Sequence, residues 1–159
     1  YSHEGRDFGR ALETAGGIVR ALPLLDEVFW VLAGDVYAPD FAFTQAAVDR
    51  FAASGKLAHL WLVPNPPHNP RGDFGLSADG QALNQADEQY TFSTIALYRR
   101  ALFEAPWCAT PAGNPHGVVA PLAPLLRAAM DAGQVSAELY TGPWTDVGTP
   151  ERLAELNAT

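Results

Sequence analysis

Two aspartates stand where α/β chains build ligand sites. Asp35 directly follows a strand-like apolar run, Val28-Phe29-Trp30-Val31-Leu32, and a glycine, which places its carboxylate at the carboxyl end of a sheet. Asp146 lies in Gly142-Pro143-Trp144-Thr145-Asp146-Val147-Gly148-Thr149, between a second strand pattern and a capped helix. Carboxylates on two such loops suit a hard, oxygen-preferring cation such as Mg²⁺, which takes few protein ligands and keeps positions for phosphate and water. Taken singly, each is also an ordinary loop aspartate that caps a turn. They can share an ion only if both loops open on one edge of the sheet. Asp40, beside Pro39, reads as a solvated turn residue.

Glu13-Thr14-Ala15-Gly16-Gly17 precedes an amphipathic pattern. Its glycines would let another group approach the backbone, where free N–H groups favour an anion or the polar edge of a ring; the plain alternative is a helix entry with glycine at the cap. Arg71-Gly72-Asp73 spells a short adhesion motif, but such motifs recur by chance and the composition points to a cytoplasmic chain. His3, His59, His68 and His116 share no metal-ligand spacing and read as structural or solvated. Cys108 has no basic neighbour and reads as an inert thiol. Nucleophile elbow, Walker loop and GxGxxG fingerprint are all missing from the sequence.

Positioning these residues falls to alternating helices and strands. Ile18, Val19 and Leu22 recur at helical spacing before Pro23, and the run Val28–Leu32, apolar on both faces, predicts a central strand of a covered sheet. Thr44 caps a helix bearing Ala47, Val48, Phe51 and Ala52, with Gly55 as its stop, and His59–Val63 is the next buried strand. Four prolines make 64–72 irregular, Asp79-Gly80 turns a hairpin, and Tyr90–Tyr98 is a strand followed by a short helix near Ala101–Phe103. Leu122, Leu125, Leu126, Ala129 and Met130 form an apolar helical stripe closed by Gly133; Val135–Tyr140 is the last strand, and Thr149-Pro150-Glu151 opens the last helix. The order predicts a three-layer α/β arrangement with a mixed sheet and no internal linker.

Composition fits that architecture. The chain has 159 residues, 48% hydrophobic and 18% charged, enough for one real core and too apolar for a disordered tail. Its net charge is −8, and Lys56 is the single lysine, so neither a broad nucleic-acid surface nor an anionic-membrane surface is expected; any phosphate ligand needs a local site. The longest aliphatic or aromatic run, Val28–Ala33, is far shorter than the roughly 20 residues that span a bilayer, and the opening residues hold no signal-peptide core. A single cysteine agrees with a reducing compartment.

Five segments together carry a resemblance. Leu-Glu-Thr-Ala-Gly-Gly-Ile at 12–18, Gly34-Asp35 at a strand end, Asn65–Leu76 (NPPHNPRGDFGL), Tyr90–Tyr98 (YTFSTIALY) and Trp144–Asn157 (WTDVGTPERLAELN) occur in the order seen in sugar-1-phosphate nucleotidyltransferases, and most resemble the branch that handles N-acetylmuramate 1-phosphate. The resemblance implies a Rossmann-like nucleotidyltransferase fold and transfer of a nucleotidyl group from a nucleoside triphosphate, UTP in that branch, to the sugar 1-phosphate, with release of pyrophosphate, in cell-wall sugar recycling. It implies Mg²⁺ held by Asp35 and Asp146, a base and ribose lined by Glu13, Gly16 and Gly17, a sugar lined by Gly72, Asp73, Ser93 and Thr94, and Trp144 as a wall beside Asp146.

The departures are equally specific. The family opens with a strand and a glycine-rich loop that ends in arginine, followed by a lysine, and these hold the triphosphate; nothing in residues 1–159 matches them. The chain is therefore expected to be the carboxy-terminal portion of one nucleotidyltransferase domain, inactive by itself and with an uncovered sheet edge. Among bases, Arg6, Arg10, Arg20 and Arg71 are the ones near the expected site in sequence. Thr94 stands where relatives often carry glycine, and Ala33 where they often carry asparagine. Three alternatives remain open at this point: mannose 1-phosphate with GTP as substrates, a non-catalytic nucleotide-sugar binder, and a glycosyltransferase using Asp35-Val36-Tyr37.

Overall fold

The structure, a computed structural model, describes residues 2–158. Helix α1 (Glu4–Phe8) leads into α2 (Glu13–Ala21), which continues as a 3₁₀ turn at Leu22–Leu24, where Pro23 ends regular α-helix. Strand β1 (Val28–Val31) and the short β2 (Val36–Tyr37) precede α3 (Gln45–Ser54). Then come β3 (Ala58–Val63), the hairpin β4 (Gly75–Leu76) and β5 (Ala82–Leu83), and the long β6 (Thr91–Arg99) with a 3₁₀ turn at Arg100–Phe103. Helix α4 (Leu122–Asp131), β7 (Val135–Leu139), β8 (Thr145–Asp146) and α5 (Pro150–Asn157) complete the order.

Four strands form the main sheet in the order β1-β6-β3-β7. β6 is antiparallel to both of its neighbours and β3 is parallel to β7, so β1, β3 and β7 run the same way and end on one edge. One face is covered by α2, α4 and the 3₁₀ turn after β6, around Val19, Leu22, Leu60, Tyr98, Phe103 and Leu126. The other is covered by α3, whose Ala47 and Phe51 pack on Trp61, Ile95 and Leu97. This is the three-layer α/β fold with a mixed sheet that the element order implied.

The helix ends follow the predicted chemistry. Thr44 Oγ1 accepts the backbone N–H of Ala47 at 3.2 Å, Thr149 Oγ1 accepts that of Arg152 at 3.3 Å, and Gly55 closes α3 with a φ of 68° that only glycine adopts without strain. Each cap contributes about 1 kcal/mol.

Three features differ from the sequence reading. β1 is an edge strand among the described residues, with β6 as its one partner, and Leu32 beyond it is half exposed. An uninterrupted apolar run reports two covered faces, which β1 has; it says nothing of whether both edges are paired. The segment from Glu13 to Gly17 is not a turn ahead of a helix but the first part of α2. The two-residue ribbon β2–β8, too short to leave a periodic signal, went unpredicted, and it carries both candidate aspartates to one place.

Candidate functional site

The ribbon pairs Val36 with Asp146 and Tyr37 with Thr145, and the N–H of Val147 donates to the carbonyl of Asp35 at 2.8 Å. The loops after β1 and β7 are thereby stitched together on the edge where those strands end. The best measure of their convergence comes from Gly148. A methyl group placed there would lie 2.8 Å from Asp35 Oδ2 and 3.0 Å from Asp146 Oδ1, so the two oxygens are less than about 6 Å apart. Two oxygens that each sit about 2.1 Å from an octahedral Mg²⁺ are separated by up to about twice that distance, so modest adjustment lets both reach one ion.

Both carboxylate oxygens of Asp146 have neighbours. Its Oδ1 accepts the N–H of Gly148 at 2.7 Å and lies 3.2 Å from Arg152 Nη2; its Oδ2 lies 3.6 Å from His68 Nε2. His68 was read as structural or solvated and Arg152 was not among the nearby bases, yet the fold brings both to the carboxylate. Their signals are indirect: His68 sits in the proline-rich loop 64–72, and Arg152 follows the Thr149 cap by one turn, the reach needed to fold back over the loop.

These groups open on a cavity of about 230 Å³ lined by Asp35, His68, Asp73, Thr94, Trp144 and Asp146, among others. Trp144 lines it beside Asp146, held by its indole N–H on the Ser93 carbonyl at 3.2 Å. Through Phe92 and Thr94 it adjoins a larger, mostly apolar cavity of about 380 Å³ that reaches Glu13, Thr14, Leu32, Leu122 and Leu126. The cleft therefore runs from the paired aspartates to the start of α2.

The remaining predicted residues divide by what they touch. Thr94 lines both cavities in the left-handed conformation, φ 66°, at an irregularity where Leu60 pairs with Ala96 but Leu62 pairs with Phe92. A β-branched residue at positive φ is strained. Glycine would meet the bulge without that strain, and Thr94 Oγ1 uses its position to accept the Ala33 N–H at 3.3 Å. Ser93 is fully buried: its hydroxyl donates to the Trp61 carbonyl at 2.6 Å and accepts the N–H of Ile95, satisfying backbone that the bulge leaves unpaired. Asp73 also lines the smaller cavity, but its oxygens accept the Phe92 N–H at 2.8 Å and the Asn69 side chain at 3.2 Å, fastening the 64–73 loop to β6. A Cβ at Gly72 would meet the backbone of Gln89 at 2.7 Å, so this glycine serves close packing of the same loop.

At the other end, Glu13 takes φ 60° as the first residue of α2 and stands between the apolar cavity and a shallow groove along the open edge of β1. Gly16 is buried. A Cβ there would meet the Val118 carbonyl at 2.7 Å, and the carbonyl of Gly16 accepts from the side chain of Asn114, itself fully buried. Gly17 lines the groove and faces the Glu4 carboxylate, whose other oxygen accepts the Leu12 N–H at 2.8 Å. Among the described residues no group of three or more histidines, cysteines or acids is arranged to hold a metal, so a cation here depends on Asp35 and Asp146 with non-protein oxygens.

No family model matches the chain. It is 44% identical over 151 residues to N-acetylmuramate alpha-1-phosphate uridylyltransferase from Neisseria meningitidis serogroup B, a match covering 92% of this chain and 62% of that protein. The chain thus spans about three fifths of the length of the curated relative. Among solved structures it superposes with a TM-score of 0.71 and 17% identity on a Bacillus anthracis protein assigned as a glucose-1-phosphate thymidylyltransferase, covering 98% of this chain and 67% of that one. It superposes with a TM-score of 0.61 and 14% identity on the inositol-1-phosphate CTP transferase of T. maritima, covering 97% and 69%. At those identities the superpositions speak for the fold, and the 44% identity speaks for descent. Sequence and fold agree that this chain is a relative of the sugar-1-phosphate nucleotidyltransferases.

Proposed function

We propose that the chain is the carboxy-terminal portion of a sugar-1-phosphate nucleotidyltransferase domain, and that it supplies the cation site and the sugar-phosphate end of the reaction. The observation that carries this is the convergence of Asp35 Oδ2 and Asp146 Oδ1 on one point beside a cavity of about 230 Å³. The donor set fits Mg²⁺: two carboxylates on a shared ribbon, both oxygen ligands, with an open side left for phosphate and water. When bound there, Mg²⁺ would offset the repulsion between two anionic reactants and polarise the phosphoryl group.

The protein's own part is positioning. The sugar phosphate oxygen is already ionised, so no general base is required of this chain. The β2–β8 ribbon fixes the two carboxylates, the Asp73 and Asn69 contacts hold the 64–73 loop against β6, and Trp144 and Thr94 shape the cavity in which the phosphate would lie in line. The cleft beyond Thr94, with Glu13 and Thr14 at its far end, is the part we assign to the nucleotide. UTP and N-acetylmuramate 1-phosphate are the substrates that the 44% relative favours.

Pyrophosphate release tests the assignment. The longest protein that contains this chain should release it from UTP with N-acetylmuramate 1-phosphate, in preference to GTP with mannose 1-phosphate. The 159 residues by themselves should not, since the arginine and lysine that hold the triphosphate in the family have no counterpart among them. Normal turnover by the isolated chain would overturn that division of labour, and release from neither pair by the longer protein would overturn the activity.

A further inference from the structure

Arg152 is the one basic guanidinium that the described residues bring against the paired aspartates, and it is only half satisfied there. Its Nη2 lies 3.2 Å from Asp146 Oδ1, while its Nε is buried with no acceptor. A buried N–H without a partner costs about 1 to 3 kcal/mol, so this side chain carries an unmet donor beside the Asp146 carboxylate. Its backbone is fixed by the Thr149 cap, which leaves the side chain as the movable part.

The oxygen it pairs with is also the one that faces Asp35. A Cβ at Gly148 would touch Asp35 Oδ2, Asp146 Oδ1 and Arg152 Nη2, at 2.8, 3.0 and 3.3 Å, so all three atoms border one small space. A divalent cation and a guanidinium cannot both sit on Oδ1 without strong repulsion. A phosphate oxygen, by contrast, is a better partner for guanidinium than a shared carboxylate, because the planar fork can engage it with two N–H groups.

Resting on the two-carboxylate site proposed above, we infer that Arg152 is the resident counter-ion of Asp146 and couples the cation to the phosphate ligand. Without ligands it holds the carboxylate in place and competes with the cation for Oδ1. When a sugar phosphate binds, Arg152 passes to the phosphate and yields Asp146 to the cation. Each ligand then favours the other, and the coupling is reciprocal. Arg152 is a positioning residue for the cation and a binding residue for the phosphate.

Mn²⁺ binding, followed by loss of its free EPR signal with and without N-acetylmuramate 1-phosphate, tests this on the chain itself. Arg152→Gln should bind bare Mn²⁺ about fivefold more tightly than the unaltered chain, the size of one partly exposed ion pair. The sugar phosphate should tighten Mn²⁺ in the unaltered chain and do nothing in Arg152→Gln, while Arg152→Lys keeps part of the gain. Arg127→Gln, which removes a charge bonded to Asn84 instead, should leave Mn²⁺ affinity unchanged. Equal or weaker Mn²⁺ binding by Arg152→Gln, a full sugar-phosphate gain in that variant, or equal tightening by Arg127→Gln overturns the inference. Asp146→Asn separates the two levels. If it binds Mn²⁺ as well as the unaltered chain, or if the unaltered chain binds none at millimolar Mn²⁺, the two-carboxylate site itself is wrong; if it alone loses binding while Arg152→Gln is silent, the site stands and the counter-ion role falls.

Discussion

The β2–β8 ribbon and the start of α2 look alike in sequence, each an acid followed closely by glycine, yet the structure uses their glycines in opposite ways. At Gly148 the space that a side chain would fill is bordered by carboxylate oxygens of Asp35 and Asp146. At Gly16 the same space is bordered by the backbone of Val118 and Ala120, and at Gly17 by the Glu4 carboxylate. One glycine makes room for the proposed site; the others make room for packing. An acid-glycine motif thus reports a close approach, and what approaches is decided by the fold.

The largest test of this contrast is loss of charge at the ribbon. Asp35→Asn or Asp146→Asn in the longer protein should lower turnover at least about a thousandfold, the scale of removing a group that stabilises transition-state charge. The double variant should be little worse, since residues that act through one ion are non-additive. Two multiplicative losses would mean separate roles and break the shared-ion account.

Packing at α2 comes next. Gly16→Val drives a side chain into immovable backbone and should lower stability by about 1 to 3 kcal/mol in chemical denaturation. Gly17→Ala meets only the end of the flexible Glu4 side chain and gains helix propensity, so its stability should stay level or rise by up to about 1 kcal/mol. Equal losses at both positions would erase the distinction between backbone and side-chain neighbours.

Gly148→Ala sharpens the other half. Its methyl group should push the two carboxylates apart and weaken Mn²⁺ binding about tenfold, equivalent to about 1.4 kcal/mol, with little change in melting temperature. A large melting shift with unchanged Mn²⁺ affinity would class Gly148 with Gly16.

Thr94 lies between the two regions, and its effect should be smaller. Thr→Gly in an ordinary strand loses about 1 kcal/mol, but relief of the left-handed conformation returns about as much. Thr94→Gly should therefore leave the melting temperature within a degree or two on the order of that cancellation, or raise it. A clear drop would show that the Thr94–Ala33 bond outweighs the strain.

Glu138, outside both regions, gives the smallest and purely pH-dependent effect. His59, whose Nε2 stands 4.0 Å away, holds its carboxyl below the ordinary 4.5, against burial, which raises it, and with help from the Trp61 indole N–H and Arg50. A lowered folded-state pKa means that the contribution is full above the unfolded value and is lost as pH falls through the folded one. Glu138→Gln should therefore lower stability slightly at pH 7 and by less at a pH below the ordinary carboxylate range. An equal loss at both would trace the effect to shape instead of charge.

Much of the fold was written in local pattern. The strands around Trp30, Trp61, Ile95 and Ala137 show as apolar, β-branched or aromatic runs, while the caps at Thr44 and Thr149, the stop at Gly55 and the Asp79-Gly80 turn are fixed by contacts within a few residues, so local pattern reports them directly. Asp35 and Asp146 were legible as strand-end carboxylates for the same reason. Their meeting was not, because it depends on a two-residue ribbon joining segments 110 positions apart, and so short a pairing leaves no period in the chain. Long-range packing likewise decided that Gly16 is filled by residues 118–120, that Thr94 sits at a bulge against β3, and that β1 ends a sheet. Arg152 and His68 became part of the site only when the loops closed around Asp146, since a charge finds its partner through space and the sequence orders residues along one dimension.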